Sequence, residues 1–247
     1  MKKETRIELA SLVKAREDLI EMRKSVENRL ELKKDGSKQN KDNMGLAPMS
    51  IQYYVDLRDT IKDAIKDHEK AIKEIVEADP LWEGFLKDVK GCGPMSAAAI
   101  MSQIDIEVSE TRTRLYQFCG INPNPIYGKK KDSKGNIVTT KTKVRGDKKT
   151  PGFLVPYNTW LRAKLIGVMA PSMIKSKSSY KDIYDAEKAR LEKSDTLVEG
   201  SEKTWAEDSK LHRNNAATRK MIKAFLSDLY ENWRQIEGLE VKIGSAH

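Results

Sequence analysis

The sequence predicts an all-α protein: an N-terminal helical hairpin or coiled coil, followed by a helix-hairpin-helix domain with a basic loop. Two observations carry this expectation. Leu, Ile and Val recur at three-four spacing among alternating charges along most of the chain. Charged residues make up 34% of the 247 and hydrophobic residues 38%, a balance that allows a core but demands long solvated helix faces.

Residues 5–34 read as the first helix, with Leu9, Leu12, Leu19, Val26 and Leu30 on one side and Arg16 and Arg23 interrupting the seam. Asp35–Ser50 is a linker rich in Gly, Asn, Lys and Asp and containing Pro48; Ser50 suits the N-cap of the next helix. From there Ile51, Tyr54, Arg58, Ile61, Ile65, His68, Ile72 and Ile75 keep the spacing unbroken. The two helices are expected to pair antiparallel within one subunit or to dimerise with a second copy. These residues, 1–79, form one expected domain, and 80–240 a second. In the second, short helices are expected at 80–89, 94–103 and 110–119. A break follows at Gly120–Gly128 around Pro123 and Pro125, and the basic loop runs on to Gly152. Further helices are expected at Pro156–Met169, 179–193 and 203–236, with Ser194–Ser201 as a polar connector.

The net charge is +9, which favours polyanions: DNA, RNA or an anionic membrane. Its distribution is more telling. Residues 129–150 hold nine Lys or Arg against two Asp, a local excess of nine minus two, +7. Cys92 and Cys119 form no CxxC pair, and His68, His212 and His247 are far apart, so neither a disulfide framework nor a metal site is expected, and no cofactor. The N-terminus lacks an apolar leader and no window reaches eighteen apolar residues, so the expected setting is cytoplasmic and away from the membrane.

The sharpest local pattern is Val89–Ile100. An apolar helix end leads into Gly91-Cys92-Gly93-Pro94, and a second helix opens with Ala97, Ala98 and Ala99. Gly91 and Gly93 permit positive φ and close backbone approach. Pro94 suits a first helical turn, whose N–H is unpaired anyway. Free N–H groups there, aided by the helix dipole, hold a phosphate. Lys90, Gly91, Gly93 and Ser96 are therefore candidate backbone contacts, in the layout of a helix-hairpin-helix. An αα-hairpin turn without a ligand has the same pattern.

The second pattern is the basic loop. Lys129, Lys130, Lys131, Lys134, Lys141, Lys143, Arg145, Lys148 and Lys149 alternate with Gly, Ser, Thr and Asn. Such a segment is expected to be flexible alone and to order on a polyanion with counterion release. Arg162, in the helix that follows, is expected to point back to it. Arg213 and Arg219 are further phosphate candidates, on a helix whose core side is Ala216, Met221, Phe225 and Leu229.

Several of these stretches together resemble a known family. They are Gly91-Cys-Gly93-Pro94, then Ile104-Asp105-Ile106, Leu115-Tyr-Gln-Phe-Cys-Gly-Ile-Asn-Pro123, Leu161-Arg162-Ala-Lys-Leu165, Tyr180-Lys-Asp-Ile-Tyr184 and the Ala216–Leu229 helix. Residues 80–236 are similar to the C-terminal domain of the bridge-RNA-guided DEDD insertion-sequence transposases, family one-ten. That resemblance implies the DNA-binding half of a recombinase, related to mobile elements or phage. Two departures bear on chemistry. The family's RuvC-like domain with four acidic metal ligands has no counterpart in residues 1–79. The family's nucleophilic serine falls where this chain has Tyr127, with Ser133 nearby but out of register.

The expected function is therefore non-catalytic, largely sequence-independent binding of DNA, with RNA open. An active transposase or recombinase using Tyr127 or Ser133 is the alternative. A structural or protein-binding helical protein is the third reading.

Overall fold

The computed structural model describes residues 1–30 and 48–242. It is mostly helical, with one two-stranded antiparallel sheet that the all-α expectation lacked. The chain divides into two compact units, Met1–Asp79 and Pro80–His247.

In the first unit α1 (Lys3–Leu30) lies along α2 (Pro48–Glu77). Val26, Ile61 and Ile65 form a buried cluster, with Leu19, Ile20, Leu30, Tyr54 and Leu57 packed on it. Arg16, which breaks the apolar seam in the sequence, crosses to the facing helix and donates from Nε to Glu69 at 2.9 Å. Arg29 stands 5.7 Å over the ring of Tyr54. Both contacts pair a residue early in α1 with one late in α2, or the reverse, as an antiparallel pair requires. His68 bonds the carbonyl of Ala64 on its own helix, at 2.8 Å. Ser50 lies inside α2, so it is not the N-cap expected of it. Most of the expected linker, from Asp35 to Ala47, falls outside the described residues.

The second unit is built around α9 (Lys210–Ile236). Ser209 caps its start by accepting from His212 N at 3.1 Å, so the helix begins seven residues later than expected. Met221, Phe225, Leu229 and Trp233 on one side, with Ile222, Leu226 and Tyr230, are all at most 2% exposed. Against it pack α3 (Pro80–Gly84), α5 (Arg112–Phe118) and α8 (Lys181–Glu192); a 3-10 turn at Leu86–Asp88 packs on α3, and α4 (Pro94–Gln103) follows it in the chain. Phe85 stacks on Phe225 with centroids 6.2 Å apart, and Tyr180 meets the same ring edge-on at 5.6 Å. Arg234 is buried, yet its Nη1 donates to the carbonyl of Ile106 at 2.9 Å, which offsets its desolvation.

One continuous rod contains α6 (Thr159–Lys164), a π segment at Leu165–Met169 and α7 (Ala170–Lys175). Pro171 accounts for the π segment. It has no N–H for the carbonyl of Gly167, and in a regular helix its ring would strike that carbonyl. The wider turn, closed by Ala170 N to Leu165 O, moves the carbonyl aside.

Glu187 on α8 joins that helix to α9. It accepts from Arg190 Nε at 2.8 Å and Nη2 at 2.6 Å and from Lys220 Nζ at 2.6 Å. These partners, Arg190 first, hold its carboxyl down at about 2, against an ordinary 4.5. A depressed carboxyl stabilises the fold above its unfolded value. This contribution is therefore full above pH 4.5 and fades as pH falls towards 2. Glu187→Gln is expected to lower the melting temperature at pH 7 by roughly 2–4 °C, for a loss of about 1 kcal/mol. Circular dichroism melts should show the gap to wild type closing as pH falls through that window; a gap that persists unchanged to its lower edge defeats the assignment.

Candidate functional site

The basic segment is a β-hairpin, not a flexible loop. Strand β1 (Pro125–Lys131) pairs antiparallel with β2 (Ile137–Arg145), from Pro125 opposite Arg145 to Lys131 opposite Ile137. The turn explains the register. Asp132 Oδ1 accepts from Lys134 N and Asn136 N, both at 2.8 Å, and Gly135 adopts φ +84°. An Asp start with a left-handed Gly three residues on is a three-residue hairpin loop, and β-branched Ile137, Val138, Thr139, Thr140, Thr142 and Val144 supply the returning strand. The expectation of a flexible loop rested on charge and overlooked this turn and the ladder it closes.

The hairpin is anchored at its base. Ile126 and Val144 face one another on the inner side, and Phe153 presses on Gly128, where a Cβ would come within 2.4 Å of its ring. Leu154 N donates to the Lys129 carbonyl at 2.7 Å, and Gln117 Nε2 to the Gly146 carbonyl at 3.0 Å. Under the ribbon lies an apolar cleft of about 370 Å³, lined by Ile126, Val144, Leu154, Val155 and Pro156 among others. A bulge between Tyr127 and Lys129 interrupts the pairing and adds local twist.

The ribbon's exposed surface is cationic on both faces, since Lys130 alternates with Lys129 and Lys131 along β1. Lys129, Lys130, Lys131, Lys134, Lys141, Lys143, Lys148 and Lys149 are all exposed. None has a carboxylate partner among the described residues. Several lysines elsewhere are paired with a carboxylate three or four residues away, as in Lys14–Asp18, Lys24–Glu21, Lys66–Asp63 and Lys87–Glu83. Lys143 stands 5.8 Å from the ring centre of Tyr127, directly across the ladder. Arg145 differs from these lysines: it is bound to Asp147 and Glu199. Arg162 does point back to this region and donates to the main-chain oxygen of Asp147.

The Val89–Ile100 turn has a different setting. Gly91 has φ +90°, and a Cβ there would lie 2.6 Å from Met173 N and 2.7 Å from Met173 Cα. Its glycine is required by packing against α7. Gly93 has φ −77°, so the positive φ expected of both glycines occurs only at Gly91, and nothing lies within 4 Å of a Cβ at Gly93. Ala97–Ser102 are buried, so α4 is a core helix, partly open only in its first turn and at its last residue, Gln103. Ser96 N and Ala97 N already donate to the Gly93 carbonyl at 2.9 and 3.0 Å. Lys90 is exposed.

Nor does this turn adjoin the ribbon's base. Gln103, at the far end of α4, accepts from Asn158 at the start of the rod at 2.9 Å, whereas Gly91 meets Met173 near the rod's end. The two features the sequence singled out therefore stand at opposite ends of the rod, roughly 20 Å apart at helical rise.

Tyr127 is 56% exposed on β1, and Ser133 lies in the hairpin turn. Among the described residues neither hydroxyl has a His, Asp or Glu in hydrogen-bond reach to take its proton. Tyr180 and Tyr184, the Y-x-x-x-Y pair, are structural. Tyr180 donates to Asp228 at 2.7 Å and Tyr184 to Asn214, both on α9. Cys92 and Cys119 are free and buried, and burial pushes the Cys92 thiol up to about 12. No helix among the described residues is long and apolar enough to cross a membrane. No known protein-family model matches the chain, and no curated protein matches it.

Proposed function

We propose that the protein binds nucleic acid, DNA first, on its lysine-rich β-ribbon, without cleaving it. The observation that carries this reading is the density of exposed lysines from Lys129 to Lys149, eight in 21 residues, none with a carboxylate partner among the described residues. Unpaired cations at that density repel one another, and a phosphate backbone relieves the repulsion while releasing its own counterions. A two-stranded ribbon also fits a DNA major groove. Lysine reaches phosphate more readily than it discriminates bases, so the binding is largely independent of sequence. Fluorescence anisotropy with labelled duplex, single-stranded and branched DNA and with RNA, at two salt concentrations, tests the reading. Salt-dependent binding to at least one supports it; no binding to any at low salt rejects it.

For the helical pair we propose a second copy of the chain as partner. Ile7, Met22, Ile51 and Tyr53 are 44–63% exposed on its surface, a spread of apolar side chains that a partner helix would cover. Light scattering on the full chain is expected to give a mass above monomer that falls in Ile51→Glu; a monomer at high concentration rules the dimer out.

A further inference from the structure

The cleft under the ribbon has fixed walls. One is the ribbon itself. The other is the chain at 154–156, tied to the ribbon where Leu154 N donates to the Lys129 carbonyl at 2.7 Å. Ile126, Val144, Leu154, Val155 and Pro156 make the lining apolar. Tyr127 and Ile137 line it too, and they are 56% and 64% exposed, so they stand at its mouth. Single exposed apolar side chains are ordinary, but these two border one cavity. Cations share the place. Lys129 lines the cleft, and Lys143 lies 5.8 Å from the centre of the Tyr127 ring.

We propose that this cleft receives one unpaired nucleobase, stacked on Tyr127, while the lysines around it hold the phosphates on either side. The site rests on the nucleic-acid reading above and narrows it to strands with unpaired bases. Three observations select this occupant. The cavity, about 370 Å³, lies at the lower end of the roughly 300–1,000 Å³ over which small-ligand pockets run, so it has room for one flat ring system and not for a base pair. Its apolar lining and aromatic mouth suit the π-face that every base carries, and such stacking is tolerant of sequence. The lysines are spread over both faces of the ribbon rather than gathered at one point. An amphiphile with a single anion would use one of them, whereas a polyanion engages the set. A base inside a duplex keeps both faces stacked on its neighbours and must be extruded before it can enter, so a single strand binds more readily.

Anisotropy titrations of the full chain test the site with three ligands: a mixed-sequence single strand, the same strand fully paired, and the same strand with abasic positions through its middle. The last keeps its phosphates and lacks the bases. Tyr127→Ala is expected to weaken binding of the intact single strand about tenfold, within the range that stacking of one base supplies. Tyr127→Phe should bind like wild type, since stacking needs the ring and not the hydroxyl. On the duplex and the abasic strand the Ala variant should stay within about twofold of wild type, and its salt slope should be unchanged because no charge is lost. Val155→Trp, which fills the cleft, should reproduce the loss on the single strand, with a thermal melt to show that it folds; if it does not fold, the Tyr127 series decides alone. An equal loss on all three ligands would make the ring a general surface contact and overturn the base site. So would a loss as large in Tyr127→Phe as in Tyr127→Ala, or a folded Val155→Trp that binds the single strand as wild type does. Binding that depends on the ribbon's lysines and ignores Tyr127 overturns the base site and leaves the proposed function standing. No binding of any nucleic acid at low salt overturns both.

Discussion

Replacing Lys129, Lys130, Lys131, Lys141 and Lys143 together with Gln is expected to weaken duplex binding about 10³-fold near physiological salt and to cut the salt slope by about 4. These side chains are exposed and have no carboxylate partner among the described residues, so the fold loses no ion pair with them. The melting temperature should therefore hardly move, since surface substitutions of this kind usually fall within about 0.5 kcal/mol. Anisotropy titrations across a salt series, with circular dichroism melts alongside, separate the two effects. Undiminished affinity, or an unchanged slope, would take the ribbon out of the interface. Lys134, at the hairpin turn, and Lys148 and Lys149, beyond β2, are left intact so that a residual slope reports on the ribbon's ends.

Gly91→Val is expected to damage stability rather than binding. The backbone there holds φ +90°, costing a side-chain-bearing residue about 1–2 kcal/mol, and the new Cβ would meet the Met173 backbone at 2.6 Å. Backbone cannot swing aside as a side-chain end can, so overpacking adds about 1–3 kcal/mol more. A total near 3 kcal/mol corresponds to a melting point lower by roughly 6–12 °C. Gly93→Ala, two residues on, has room and an ordinary φ, and should cost less than about 1 kcal/mol. Thermal melts of the two single variants decide it. Equal losses would mean that the turn does not rest on the rod as described.

The contrast between those glycines shows where sequence reading succeeds and where it stops. Pattern alone locates a turn at Gly91–Pro94 and a helix behind it, because both are local consequences of backbone chemistry. It cannot tell that Gly91 serves a contact with Met173, more than eighty residues away in the chain, while Gly93 serves none. The long helices are legible for the same local reason: Ile61, Ile65 and Ile72 repeat at intervals that one helix face imposes, and all three are buried. Leu57 packs on the same cluster and Val13 of α1 is buried, although neither falls on the apolar series read from the sequence. In the ribbon two local signals compete: nine cations in 22 residues predict a flexible segment, whereas the Asp132–Gly135 turn between β-branched and basic runs closes a hairpin. The arginines at Asp147 are only half visible. Arg145 and Arg162 are legible as basic residues near the loop, but their meeting at Asp147 depends on tertiary packing that no spacing encodes.

The π segment has a consequence for how this rod tolerates change in length. Leu161, Leu165, Met169 and Met173 recur at intervals of four, and all are buried. In a regular helix such a series drifts about 40° per step, so its last member would have rotated well away from its first. The wider turn at Leu165–Met169 reverses part of that drift and keeps the series on one side. It amounts to one inserted residue absorbed as a phase correction. Removing an exposed residue from the regular turns ahead of it, such as Ala163, would rotate everything beyond by about 100°, because Pro171 keeps the wide turn from relaxing to take up the change. Met173 would then leave the position where its main chain receives Gly91. A single-codon deletion that looks conservative within one helix would thus undo a junction between two distant parts of the chain, and lineages descending from this one should keep the length of this stretch more strictly than its side chains.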